Sequence, residues 1–155
     1  MTANDVLVRQ LERQLESFIK TFEKVPADKL EWAPEGCRSA LDQGQEVATV
    51  IGDHWELYES RKMVWSEEAF SEWLKARAQL KTREQVVARL KLDTQKLIEY
   101  TRSLPANDLM APTEMPFPGE FRMVDNITYH TWNMSYHEGQ INMILMMLGI
   151  DPMGG

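Results

Sequence analysis

The chain has 155 residues, of which 43% are hydrophobic and 26% are charged, and its formal net charge at pH 7 is −7. These values are ordinary for a globular protein, so residues 1–155 are predicted to form a single domain. The negative charge argues against nucleic acid as a partner, because duplex DNA and RNA are bound through basic surfaces. No run of about 18 apolar residues is present, which argues against a membrane span.

The numbers of cysteines, glycines and prolines indicate the compartment and the fold class of the protein. The single cysteine, Cys37, excludes an internal disulfide framework and suits a reducing compartment. The first residues alternate charged with apolar side chains and lack the apolar core of a signal peptide. With only 8 glycines and 7 prolines, helices are favoured over many short strands. We therefore expect a cytoplasmic, all-α protein.

The first amphipathic helix is predicted over residues 4–25, because apolar residues recur there at every third or fourth position. Thr2, with Asp5 three residues later, offers a capping box at its start. Pro26 ends the helix, since the residue before a proline is disfavoured in helical conformation. The segment that follows contains tryptophan, proline and glycine and is predicted to be an irregular connection.

The second helix is predicted over about residues 40–65, with Ser39 and Asp42 capping its start. A charged segment that begins at Ser66 is predicted to form one short extra helix or crossover after it. The apolar face of the second helix is expected to comprise Val47, Val50, Ile51, His54, Leu57, Tyr58 and Trp65.

The third helix is predicted over about residues 83–103, and Thr82 with Gln85 forms its capping box. Residues 105–120 contain four prolines and one glycine, which is too many for a helix or a central strand, so a long extended loop is expected. The fourth helix is predicted over about residues 122–148.

Four long helices in a chain of this length predict an all-α four-helix bundle, whose long crossover connections permit parallel neighbours. The end of the fourth helix is apolar on nearly all sides. Trp132, Tyr136, Met143 and Met146 add a non-polar face opposite its histidines. Because a helix that is apolar on two faces is either enclosed or paired with another surface, we expect a homodimer.

The candidate pocket is predicted where the fourth helix faces the second. His130, Asn133 and His137 share one stripe of the fourth helix at about 100° per residue. A structural interpretation is also open, in which these three form a buried polar network and satisfy one another. On the second helix the candidate residues are His54, within the apolar face, and Glu46 and Asp53, at its edge. In a purely structural interpretation, His54 is a core histidine whose ring nitrogens are hydrogen-bonded. Glu46 and Asp53 are then carboxylates that are solvated or paired with an arginine.

Spacing alone does not favour a transition-metal site. His130 and His137 are seven residues apart, or about 10.5 Å along a helix. Because metal–nitrogen bonds are only about 2 Å long, two histidines this far apart could bind one ion only with strained side chains. The better spacing of four residues joins Asn133 to His137, and an amide is a poor ligand for zinc.

Two segments resemble the DinB/YfiT-like superfamily: Trp32–Ser39, which reads WAPEGCRS before a helix, and His137–Ile141, which reads HEGQI in the closing helix. The resemblance extends from the first helix to Gly149. It implies a four-helix bundle of up-down-down-up topology, often dimeric. Many members of this superfamily hold zinc or nickel through three histidines at one end of the bundle, and some transfer low-molecular-weight thiols.

The resemblance places the three metal ligands at Glu46, Asn133 and His137, so one histidine of three remains. It therefore implies a degenerate site that binds a divalent metal weakly or not at all. This favours a stress-related, small-molecule-binding bundle. Two alternatives stay open. One is a divalent-metal-dependent S-transferase that presents a thiolate to an electrophile, and the other is a non-catalytic dimeric interaction module.

Overall fold

The computed structural model describes residues 1–154. It is mostly helical, with one small two-stranded sheet, which confirms the prediction of an all-α bundle. In chain order the helices are α1 (Ala3–Glu23), α2 (Ala40–Asp53), α3 (Trp55–Ser60), α4 (Glu67–Arg77), α5 (Arg83–Ser103) and α6 (Met123–Met147). Short 3₁₀ turns occupy Ala27–Lys29 and Ala106–Met110, and two-residue strands β1 (Pro112–Thr113) and β2 (Phe121–Arg122) pair antiparallel. None of the helices in this described region is both long enough and apolar enough to cross a membrane.

The four long helices form the bundle, with α1 and α2 each packed between α5 and α6. Contacts at the helix ends fix the directions. Near the start of α1, Asn4 Nδ2 donates to the carbonyl oxygen of Thr101 at the end of α5, 2.7 Å away, so these helices are antiparallel. After the end of α1, Lys24 Nζ donates to the carbonyl oxygen of Pro152, which follows α6, so α1 and α6 are parallel.

Helix α2 runs antiparallel to α6. Gln43, near the start of α2, contacts His137, whereas Tyr58, in α3, contacts Asn126 near the start of α6. The four long helices therefore run up, down, down and up in chain order. Because α2 and α5 are parallel neighbours, the chain must return along the bundle between them, and the segment with α3 and α4 makes that return.

The core is formed by side chains from all four long helices. Gly44 marks a close approach within it, because a Cβ added there would lie 2.8 Å from the Phe22 ring. Tight packing of this kind resists larger side chains. The largest fully buried side chains include Leu11, Phe18, Phe22, Ile51, Leu90, Leu97, Ile127, Met134 and Ile141.

Several predicted helix ends are confirmed. The capping boxes at Thr2 and Thr82 form, and the Ser39 side chain accepts a hydrogen bond from the backbone N–H of Asp42. The predicted short helix after Ser66 is also present, and the Ser66 hydroxyl accepts from the N–H of Ala69.

The prediction that the second helix continues to residue 65 is wrong. Helix α2 ends at Asp53, a kink at His54 leads into α3, and α3 ends at Ser60. Arg61 has a φ of 61°, in the left-handed region, so it stops the helix. Trp65 consequently lies outside the helix and is 52% exposed.

The segment after α3 is joined to the proline-rich loop. Met63 N–H donates to the carbonyl oxygen of Glu114, 2.8 Å away, and Glu114 N–H donates to that of Arg61, 2.9 Å away. The side chains of Lys62 and Glu114 form an ion pair at 2.9 Å. Two irregular segments are thus held together along one side of the bundle, and both contribute to the site described below.

Candidate functional site

Helices α2 and α6 meet at a hydrogen-bonded histidine. His137 Nε2 lies 3.0 Å from Glu46 Oε1, and His137 Nδ1 lies 3.1 Å from Gln43 Oε1. Gln43 Nε2 donates to the carbonyl oxygen of Arg38, which orients its Oε1 toward the ring. Because both oxygens are acceptors, the two contacts are satisfied together when the ring carries a hydrogen on each nitrogen.

Two arginines complete this group. Arg38 Nη1 lies 2.7 Å from Glu46 Oε2, and Arg77 Nη1 lies 3.5 Å from the same oxygen. Both guanidinium groups also pair with Asp42. The hydrogen bond with His137, together with the charge of Arg38, lowers the pKa of Glu46 to about 2. Glu46 is therefore held as a carboxylate at one end of a charged network, which confirms the interpretation that it pairs with an arginine.

Arg77 reaches this network from α4 and is the buried residue of that helix. Its guanidinium lies 4.8 Å from the centre of the Trp73 ring. Trp73 Nε1 in turn donates to Thr49 Oγ1 on α2, 3.0 Å away. Trp73 and Arg77 are four residues apart and so share one face of α4. These two side chains attach α4 to the bundle.

His54 and His130 lie in a different environment, among aromatic rings. The two imidazole rings are 5.4 Å apart, and His130 Nε2 lies 2.6 Å from the hydroxyl of Tyr58. That hydroxyl donates to the carbonyl oxygen of Asn126, so His130 Nε2 donates to it. Burial lowers the pKa of His54 to about 4, and it lowers the pKa of His130 well below its usual value. Both rings are neutral at pH 7.

Asn133 is buried beside these residues, and its Oδ1 has no hydrogen-bond partner within residues 1–154. The interpretation in which His130, Asn133 and His137 satisfy one another is wrong. His130 bonds to Tyr58 and His137 bonds to Gln43 and Glu46, because His130 faces α3 whereas His137 faces the first half of α2.

The residues predicted as metal ligands do not fit zinc or nickel. Glu46 and His137 meet, but both ring nitrogens of His137 already have partners, and Glu46 contacts two guanidinium groups. Those guanidinium groups already supply positive charge beside the Glu46 carboxylate. Asn133 adds an amide, a poor ligand for these metals. Across residues 1–154 no group of three or more His, Cys, Asp or Glu is placed to hold a metal.

A cavity of about 330 Å³ lies between α2, α3, α4, the proline-rich loop and α6. Three predicted residues line it: Glu46, Asp53 and His54. The other three predicted residues, His130, Asn133 and His137, are buried and are not among its lining residues. Sequence reasoning missed its aromatic walls, which are formed by Trp65, Phe70, Trp73, Phe117 and Tyr129.

For other residues of the site, the sequence indicated a helix face but not a role in the site. Tyr58 follows His54 by four residues, the spacing that places two side chains on one helix face. Trp73 and Arg77 repeat this spacing in the short helix. Periodicity alone does not show which way that short helix faces, so it gave no reason to assign either residue to the site.

The sequence matches no family model and no curated protein. Its fold matches solved structures. A protein from Streptococcus pneumoniae, solved by a structural genomics consortium, has a TM-score of 0.70 at 14% identity, over 92% of this chain and 90% of that one. The colibactin self-resistance protein ClbS, in complex with a dsDNA, has a TM-score of 0.70 at 11% identity, over 94% of this chain and 97% of its own. At these identities the likeness concerns the fold.

The ClbS structure overturns the prediction that nucleic acid is excluded as a partner. A protein with the same fold is seen there in complex with double-stranded DNA. The prediction was drawn from a net charge of −7. Net charge sums over the whole surface, whereas DNA is held by a local arrangement of cationic and polar groups, so an acidic total does not exclude such a surface.

Proposed function

We propose that the protein is a DinB-like bundle that binds a small molecule in the cavity beside α4. The observation that carries this proposal is the cavity itself. Its volume of about 330 Å³ lies within the range of small-molecule sites. It combines apolar and aromatic walls with a few polar groups, as such sites do. The DinB-like resemblance of the segments around Trp32–Ser39 and His137–Ile141 supports the same assignment.

The second part of the proposal is that this bundle works without the divalent metal that many members of the DinB/YfiT-like superfamily hold. The network of Arg38, Arg77, Glu46 and His137 supplies internally the charge balance that an ion would supply. A thiol transferase that depends on a metal-bound thiolate is therefore the less favoured alternative, because the imidazole and carboxylate it needs are already hydrogen-bonded.

Metal content tests this part directly. Protein purified without an affinity tag or chelator should contain far less than one zinc or nickel ion per chain by mass spectrometry, and added zinc, nickel or manganese should leave its melting temperature unchanged. The double variant Asn133→His with Glu46→His rebuilds a three-histidine set and should take up zinc. Stoichiometric metal in the unmodified protein would restore the transferase alternative.

A fluorescence-based binding screen tests the cavity. Trp65 and Trp73 line it, so a bound compound should change tryptophan emission. Trp65→Leu, at a half-exposed position, should remove part of that change without affecting folding. Trp132→Leu, outside the cavity, is the matched control. A screen in which no compound of any charge binds would contradict the proposal.

DNA binding is a second candidate function, favoured by the complex in which ClbS is seen. A groove of about 530 Å³ between α1 and α6 is lined by polar side chains, Arg13 and the exposed Trp132. Such a combination suits phosphate contacts and stacking on a base. Titration of labelled double-stranded DNA should show binding that weakens with salt and with Arg13→Gln, while Lys75→Gln on α4 should leave it unchanged.

We also propose that the protein is a homodimer formed through the outer face of α6. Trp132, Tyr136, Met143, Met146 and Met147 are each more than half exposed there, and the first two rings are stacked 5.3 Å apart. Because Trp132 also lines the groove between α1 and α6, this dimer and DNA binding in that groove are alternatives. Light scattering should give twice the chain mass, and Tyr136→Glu with Met143→Glu should return it to the mass of one chain. A single-chain mass for the unmodified protein would contradict this.

A further inference from the structure

The walls of the cavity present aromatic faces from several elements. On the α4 side, the Trp65 and Phe70 rings lie 6.3 Å apart, and the Phe70 and Trp73 rings lie 5.6 Å apart. Tyr129 of α6 and Phe117 of the proline-rich loop face the same space. Trp65, Phe70 and Phe117 are 52%, 43% and 54% exposed, although they are large and apolar. A ligand that covered them would remove this apolar surface from water.

The charges that line the cavity all have one sign. It contains the carboxylates of Glu46, Asp53 and Glu56, and no lysine or arginine of the described chain is among its lining residues. Glu46 is neutralised by the arginine network. Asp53 and Glu56 differ, since neither side chain forms an ion pair or a hydrogen bond with residues 1–154.

The remaining polar groups do not offset this negative charge. The His54 ring is neutral at pH 7, because burial lowers its pKa to about 4. Burial also raises the pKa of the Tyr129 hydroxyl, which therefore stays protonated. Burial raises the pKa of Asp53 as well, since no cation lies close enough to favour its charged form. A cation that entered the cavity would oppose that shift, because a nearby positive charge favours the charged form of Asp53.

We propose that the ligand of this cavity is an organic cation, a protonated amine or quaternary ammonium group carried on a hydrophobic body. The proposal rests on the small-molecule function proposed above and names its ligand class. The cation would lie against the face of Trp65, as cation–π contact requires. The Trp73 ring, which already carries the Arg77 guanidinium 4.8 Å from its centre, would contribute apolar contact to the ligand's body. Asp53 and Glu56 would supply its counter-charge, and the apolar body would cover the exposed rings. Low-dielectric walls that carry charge of one sign also concentrate ligands of the opposite sign.

Other ligand charges fit this cavity less well. An anion would meet two unneutralised carboxylates and no cationic partner. A neutral ligand would cover the aromatic walls but would leave Asp53 and Glu56 further desolvated and still unpaired, which costs free energy. The DNA candidate function is separate, because a phosphate group would be repelled here and its groove lies between α1 and α6.

The test compares three probes that share a phenyl ring and differ in charge. They are phenyltrimethylammonium, its neutral isostere tert-butylbenzene, and the anion benzenesulfonate. Each is titrated into the full-length protein at pH 7.5 while tryptophan emission is recorded, and calorimetry checks the stoichiometry. The cation should bind at least about fivefold more tightly than the neutral isostere, the size of one exposed cation–π contact. The anion should bind most weakly.

Variants then locate the contact. Asp53→Asn with Glu56→Gln removes both unpaired charges at exposed positions and should weaken binding of the cation about tenfold. The same variant should leave the affinity for tert-butylbenzene within about twofold. Glu31→Gln, an exposed carboxylate outside the cavity, is the control for a simple change of net charge and should have no effect. Circular dichroism confirms that each variant is folded.

The outcomes separate this inference from the function on which it rests. If the neutral or the anionic probe binds as tightly as the cation, the cavity binds small molecules but the proposed ligand class is wrong. If the double variant and Glu31→Gln weaken the cation equally, the effect is one of net charge and the proposed contact is wrong. If none of the three probes binds, both the inference and the small-molecule function are overturned.

Discussion

His137 and His130 lie about two turns apart on the same buried face of α6, yet their surroundings are opposite. His137 contacts Glu46 and Gln43 beside two arginines, so both of its ring nitrogens have a charged or polar partner. His130 lies among the rings of Tyr58 and His54, with one nitrogen unpaired. The charged end, around His137 and Glu46, holds ionised groups in place. The aromatic end, around His130, His54 and Tyr58, keeps its histidines neutral.

The difference shows how one helix face serves two purposes. The charged end fixes α4 through Arg77, so its contribution is chiefly to the arrangement of the bundle. The aromatic end borders the cavity, where His54 and Tyr129 form part of the wall. Substitutions at the charged end should therefore change stability strongly, and those at the aromatic end should change it weakly.

The largest effect is expected for Glu46→Gln, which should lower the free energy of unfolding at pH 7 by about 2–3 kcal/mol. The pKa of Glu46 is lowered from 4.5 to about 2 in the folded protein. Its stabilisation is therefore complete above pH 4.5 and is lost as the pH falls through about 2. Urea unfolding between pH 7 and pH 2.5 should show a shallower acid dependence for the variant. Equal slopes for variant and parent would contradict this, and Glu31→Gln is the control.

Arg77→Met should cost about 2 kcal/mol, because it leaves Glu46 and Asp42 with Arg38 as their remaining arginine partner. It should also release α4, so limited proteolysis between residues 61 and 80 should become faster. Lys75→Met, at an exposed position of the same helix, should change neither property. Unchanged proteolysis in Arg77→Met would show that Trp73 alone holds α4.

Tyr58→Phe tests the aromatic end and should cost about 1 kcal/mol. The change removes the hydroxyl that accepts from His130 Nε2, and it leaves that buried nitrogen without a partner. Thermal or urea unfolding measures the loss. Tyr136→Phe, on the exposed face of α6, is the matched control and should have no effect. A loss as large as that of Glu46→Gln would contradict the contrast between the two ends.

The smallest effect at neutral pH concerns His54. Its pKa is lowered from 6.5 to about 4 in the folded protein, so the unfolded chain takes up the proton first. Stability should be unaffected above pH 6.5 and should fall as the pH drops from 6.5 to 4. A histidine NMR titration, assigned with His54→Gln, should show no midpoint for this ring above pH 5. A midpoint near 6.5 would mean that water reaches the ring freely.

Much of the fold was predictable from local chemistry. The bounds of α5 follow from the Thr82–Gln85 capping box and from Pro105, and the structure gives Arg83–Ser103. The end of α3 was not predictable in this way, because apolar spacing continues past Ser60 to Trp65. What stops the helix is the left-handed conformation of Arg61 and the pairing of the next residues with the proline-rich loop.

The candidate site was predictable only in part. The proximity of Glu46 and His137 was expected from the resemblance of two segments to a family, and the structure places these residues in contact. Arg77 was not foreseen, since it lies 31 residues from Glu46 and reaches it through a helix whose docking is tertiary. Long-range ion pairs leave no periodic pattern in a sequence, so the balance of charge at a site is the hardest feature to derive.

The parallel arrangement of α2 and α5 has a consequence for how such a protein can diversify. It obliges the chain to make a long return, and α4 lies on that return with Arg77 as its buried residue. The side chains that α4 presents to the cavity therefore belong to a wall that is largely outside the core. Apart from Trp73, which attaches α4 to Thr49 of α2, the residues of this wall can be exchanged without repacking the bundle. Ligand preference can therefore change while the core stays the same.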